Sequence, residues 1–114
     1  MTLGVILHST RSGRTREEAL TEEYMVNVTY MMRPGTVSAH RVIGYHPGQH
    51  AQLVADDLIA WAQGDDNVNY LSIEFTQPTS GDPFSQYQYD VGVAVVKVWS
   101  LRYGFSGDRW HVRR

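Results

Sequence analysis

The 21 residues from Ser85 to Phe105 constrain the fold more than any other segment. Their alternating valines favour a strand by propensity. Yet Tyr87, Val91, Ala94, Val95, Val98 and Leu101 also share one helical face. The run is too long for one typical strand, and Gly104 stands where a helix C-cap would. The spacing therefore predicts a long helix.

The rest of the chain supplies shorter pieces. Gly4-Val5-Ile6-Leu7 reads as a buried strand ending at His8, followed by a polar loop from Ser9 to Gly13. Thr15-Arg16-Glu17-Glu18 has the form of a capping box. Behind it Leu20, Tyr24, Val28, Met31 and Met32 recur at helical spacing, which predicts a helix from about Arg16 to Met32, stopped by Pro34-Gly35. Val37 to Ile43 and Ala51 to Val54 read as two strands of a hairpin turned at His46-Pro47-Gly48-Gln49. Asp56 to Gln63 is ambiguous, Gly64 to Asn67 and Gln77 to Pro83 are loops, and Tyr70 to Phe75 is a strand. Asp108 to Arg114 could begin another strand. Strand, helix, hairpin, strand and long helix make an α/β pattern: a central mixed β-sheet flanked by helices.

Composition excludes several classes. A chain of 114 residues has one domain as its prior. Ten basic and twelve acidic side chains leave a net charge of −2, so bulk charge gives no argument for nucleic acid or an anionic membrane. Apolar residues make up 42%, enough for a packed core. There is no cysteine, hence no disulfide and no Cys-based zinc knuckle. The apolar run Val91 to Val96 is far shorter than the roughly 20 residues of a membrane span, and Met1 to His8 has no signal-peptide pattern.

Two residues stand out chemically. His8 follows a buried strand directly, a rigid place for a metal ligand, although a hydrogen-bonded structural histidine is the commoner occupant of such a strand end. Glu74 lies inside Tyr70-Leu71-Ser72-Ile73-Glu74-Phe75. A carboxylate there is costly to bury unless paired, protonated or facing a cleft. It is a candidate general base with a raised pKa, or else a glutamate on the solvent face of an edge strand. Among the other histidines, His46 and His50 flank Pro47-Gly48 and read as solvated turn residues. His40 reads as a core histidine bonded to its neighbours. Asp65 and Asp66 lack the further carboxylates of a calcium loop. The basic tail, Arg109, Arg113 and Arg114, is too short to argue for nucleic acid.

Read together, several segments resemble the type 2 N-acetylmuramoyl-L-alanine amidases, the superfamily of phage lysozyme-type amidases and peptidoglycan recognition proteins. These are Val5-Ile6-Leu7-His8-Ser9-Thr10, Val37 through His40 to Gly44, Gln52-Leu53-Val54, Ala60-Trp61-Ala62-Gln63-Gly64, Asn67 through Glu74-Phe75, and the segment ending Leu101 to Phe105. The resemblance spans nearly the whole chain. It implies a mixed sheet with a zinc cleft along one face. It implies a hydrolase that cuts the amide between N-acetylmuramic acid and L-alanine, with bacterial peptidoglycan as partner and an endolysin-like role: made in a host cytoplasm and acting on the cell wall. By resemblance His8 is the first Zn2+ ligand and Glu74 the catalytic carboxylate. The catalytic tyrosine of some members is replaced by Ala39, and Gln63 stands where many have histidine. Trp61 is a groove-wall contact or a core residue. The family's two further ligands, a His and then a Cys or Asp, fall beyond Arg114, with His111 slightly too early. The resemblance therefore implies residues 1–114 as a single amidase-like domain lacking the family's C-terminal part. A peptidoglycan-binding module without catalysis, or a fragment that assembles with a partner segment, are the alternative expectations.

Overall fold

The computed structural model describes residues 4–10, 23–33, 38–58, 70–77 and 83–105, and the backbone of 110–113. Five strands form one sheet: β1 (Gly4–Ser9), β2 (Arg41–Ile43), β3 (His50–Gln52), β4 (Tyr70–Phe75) and β5 (Trp110–Arg113). Their order is β3-β2-β4-β1-β5. β2 and β3 are antiparallel, and the other three pairs are parallel. The described helices are α1 (Glu23–Met31) and α2 (Gln86–Tyr103). The sheet is mixed and flanked by helices, as the alternation of elements predicts.

β1 and β4 lie at the centre, where both faces are covered, so Val5-Ile6-Leu7 is a continuous apolar run with no alternation. One face carries Val5, Leu7, Ile43, Leu71, Ile73 and Phe75, which pack against Val95, Val96 and Trp99 of α2. Side chains alternate along a strand. The opposite face therefore carries Ile6, Val42 and Ser72, all fully buried, together with His8 and Glu74.

α2 resolves the ambiguity of the valine-rich segment. Ser85 is its N-cap and forms a capping box with Gln88, and Gly104 closes it in the left-handed conformation at φ 75°. Buried Gln88 ties the start of the helix to the sheet. Its Nε2 donates to the Thr76 carbonyl at 2.8 Å and to the Ile43 carbonyl at 3.3 Å.

The hairpin turn is where the sequence places it. The Gln49 N–H donates to the His46 carbonyl at 3.1 Å. Gly48, at φ 87°, takes the left-handed position that a type II turn requires after Pro47. The strands are shorter than expected. β2 begins at Arg41, since residues 38–40 are irregular, and β3 ends at Gln52. The chain then turns at residues 53–58, held by Leu53 N–H to the His40 carbonyl and by Asp56 to Arg41 and Arg102.

α1 covers only the last part of the helix expected from Arg16 to Met32. Residues 16–22 lie outside the described residues, as do the expected capping box at Thr15 and the Gly64 to Asn67 loop. Met32 falls just past the helix end and is exposed, so it does not belong to the inward face with Tyr24, Val28 and Met31. No helix among the described residues is long and apolar enough to cross a membrane.

Candidate active site

The parallel register of β1 and β4 sets His8 directly opposite Glu74. Paired residues of adjacent strands project from the same face of the sheet. Residues 66 positions apart in the sequence thus become side-by-side neighbours on the face away from α2. On its other flank Glu74 is opposite Val42 of β2. β4 is therefore a central strand, and Glu74 is not the solvent-facing glutamate of an edge strand.

The apolar setting controls the protonation of Glu74. Fully buried Val42 and Ile6 border it, and burial pushes its carboxyl up to about 7, with the negative charge of Glu23 adding to the shift. A carboxyl poised there exists in both protonation states near neutral pH. That is what a group that must take up and return a proton requires.

Glu23 is the residue that sequence reasoning missed. It opens α1, is fully buried, and neither carboxylate oxygen has a hydrogen-bond partner. In the sequence it looks like one more acidic residue near a helix start, favourable to the helix dipole on the surface. No local signal distinguishes it. Its burial beside Glu74 comes from how α1 docks on the sheet.

The remaining histidines separate clearly. His46 is exposed in the turn, as expected. His50 is not a solvated turn residue. It opens β3 and is half-buried against Arg41, 3.4 Å from the guanidinium, and burial and that positive charge lower its pKa. His40 is buried and hydrogen-bonded through both ring nitrogens, the core histidine that its position predicts. Arg113 is the β5 partner of His8, and His111 pairs with Ile6, two residues earlier. Trp61, Gln63, Asp65 and Asp66 lie outside the described residues, and so do Arg109 and Arg114.

A family model described as N-acetylmuramoyl-L-alanine amidase matches residues 2–113. The chain belongs to this amidase family. Three solved structures share the fold. AmpD, as a selenomethionine derivative, superposes at a TM-score of 0.71 with 19% identity, over 97% of this chain and 70% of that one. AmiD from E. coli, solved with the substrate anhydro-N-acetylmuramic acid-L-Ala-D-gamma-Glu-L-Lys, gives 0.68 with 18% identity, over 92% of this chain and 45% of that one. AmpDH3 from Pseudomonas aeruginosa, in complex with anhydromuramic pentapeptide, gives 0.68 with 21% identity, over 90% and 46%. This chain thus spans less than half the length of AmiD and AmpDH3. No curated protein matches it in a sequence comparison.

Amidase family membership raises the question of zinc. His8 offers one imidazole on the correct side of the sheet for Glu74. Among the described residues, however, no group of three His, Cys, Asp or Glu side chains converges as a metal would need. A catalytic zinc uses three protein ligands and one open position. The described residues therefore do not make up such a site by themselves.

Proposed function

We propose that the chain acts in the hydrolysis of the amide bond between N-acetylmuramic acid and L-alanine of peptidoglycan, in an endolysin-like setting. The observation that carries this reading is the His8–Glu74 pair. An imidazole and a carboxyl poised at about 7 face the same way from adjacent central strands. Family membership supplies the class of reaction. AmiD and AmpDH3 were solved with muramyl peptides, which supports that class of substrate here.

In this proposal Glu74, as carboxylate, takes the proton of the attacking water. The protonated carboxyl then returns a proton to the leaving amine of L-alanine. The buried surroundings of Glu74 give it the basicity for the first step without costing it the acidity for the second. His8 is the proposed Zn2+ ligand of the chain. Zinc dependence is part of the proposal and rests on the family and on this one imidazole.

Release of stem peptide from purified peptidoglycan, followed as new amino termini, tests the reading. Wild type should release peptide at neutral pH and lose activity on chelation. Glu74→Gln should slow release by 10²-fold or more, and His8→Ala should abolish the chelator-sensitive part. Release unchanged by Glu74→Gln would contradict the proposal. Binding to cell wall with no turnover by wild type would point to a recognition module without catalysis. The small number of candidate ligands among the described residues favours that second reading.

A further inference from the structure

Buried His40 does more than fill space. It joins three separate parts of the chain. Its Nε2 lies 2.7 Å from the Leu58 carbonyl, and a carbonyl can only accept, so Nε2 carries the proton. Nδ1 is then the acceptor, and it faces the Ser72 N–H at 3.2 Å with the Ser72 hydroxyl at the same distance. The His40 backbone contributes twice more: its N–H donates to the Ser72 hydroxyl at 3.2 Å, and its carbonyl accepts from Leu53 N–H at 2.9 Å. Ser72 projects from the same face as Glu74, two residues away, about 7 Å along β4. One imidazole thus ties both ends of the 53–58 loop to the strand that carries Glu74.

This arrangement favours a neutral ring. Adding a proton to Nδ1 would set its N–H against the Ser72 N–H, donor facing donor, and take from that buried N–H its acceptor, with the Ser72 hydroxyl, which already accepts from the His40 N–H, as the acceptor left for the new donor. We propose that His40 is a positioning residue: in its neutral state it latches the 53–58 loop to β4, the strand that carries Glu74, and protonation releases the loop.

The charged surroundings agree with the direction. Burial lowers the pKa of His40, the bond to the Leu58 carbonyl and the charge of Asp56 oppose this, and Arg41 adds to the lowering. Asp56 is on the loop itself and is held by Arg41 and by Arg102 of α2. α2 otherwise meets the ring edge-on through Trp99, which carries no charge. From β4 the contact is Ser72, with Glu74 two residues on. His50 lies behind Arg41.

A closed loop holds a neutral ring, and an open loop frees an imidazole of ordinary pKa, near 6.5. Opening therefore becomes easier as the pH falls below about 6.5. Amide exchange of residues 53–58, corrected for the intrinsic pH dependence of exchange, should be about tenfold faster at pH 5.5 than at 7.5, while the middle of α2 stays unchanged. His40→Gln keeps an N–H for the Leu58 carbonyl and cannot titrate, so its loop should exchange with no such pH dependence. Glu74→Gln should retain the tenfold change, which separates the latch from the titration of the carboxyl nearby. In wild type, imidazole 15N shifts should report the Nε2–H tautomer at pH 7.5. None of these readouts needs turnover, so they stand apart from the hydrolytic proposal. An Nδ1–H tautomer, a loop whose exchange ignores pH, or a His40→Gln loop with the same tenfold change would each overturn the latch.

Discussion

Glu74 shows how an environment makes a reactive group from an ordinary one. Its ordinary pKa of 4.5 rises to about 7 through burial and the nearby charge of Glu23. The folded state therefore holds a proton that the unfolded chain releases between about pH 4.5 and 7. The stability tied to that proton is present at low pH and is lost as pH rises through this window. From pH 4.5 to 8, wild type should lose about 2–3 kcal/mol more than Glu74→Gln, as read by urea denaturation at the two pH values. Equal losses would mean that the carboxyl is not raised. Glu23→Gln removes the repelling charge, so the activity profile should shift its acid limb to lower pH, readable in peptide release. His8 and Glu74 were each visible in the sequence as an unusual residue in an apolar strand. That they are neighbours was not, because pairing across 66 positions depends on which strands become adjacent. Glu23 was not visible at all, since a glutamate at a helix start looks alike whether solvated or buried. The burial of His50 was hidden for a similar reason: a turn residue one position further on becomes a strand residue under Arg41.

At the scale of elements, the sequence was most readable where local and tertiary preferences agree. β1 and β4 have the short apolar runs of central strands, and α2 has length and a cap at each end; of the face expected along it, Ala94, Val98 and Leu101 are exposed, and Gly92, Val96 and Trp99 turn inward beside Val95 instead. The valine content misleads only if propensity is weighed alone, because the helix cost of a β-branched side chain is small and burial of Val95 and Val96 against the sheet outweighs it. Gly92 lets α2 pack tightly on the sheet. A Cβ there would meet the Phe75 ring at 2.9 Å, and that ring is itself buried and packed at a tilt against the Phe84 ring, 5.0 Å between centroids. Gly92→Ala gains helix propensity yet overpacks the contact, and should lose about 1–3 kcal/mol by thermal or chemical denaturation. A stabilised variant would show that the interface has room. Ser85→Ala removes the side-chain cap and its bond to the Tyr45 carbonyl, and should cost about 1 kcal/mol or somewhat more. The hairpin was legible from Pro47-Gly48, but its strand ends were not: the chain leaves the ladder where His40 and Asp56 draw the 53–58 loop back onto the sheet.

On the scale of the whole molecule, the sheet divides labour between its faces. One face is given to α2 and holds the core. The other holds His8, Glu74 and Ser72, with Glu23 brought against it by α1. Substitutions of His8 or Glu74 leave the α2-facing core untouched, so at neutral pH they should keep cooperative unfolding while lowering activity. The chain belongs to the N-acetylmuramoyl-L-alanine amidase family, and the proposed hydrolysis rests on that membership and on the pair of side chains on the face away from α2. The most direct measurement is mass spectrometry of the products from purified peptidoglycan incubated with wild type and Glu74→Gln at neutral pH. The account predicts intact glycan strands bearing free lactyl carboxylates, with stem peptides beginning at a free L-alanine amine, from wild type alone. Cleavage in the glycan or within the stem peptide, or identical products from both proteins, would contradict it.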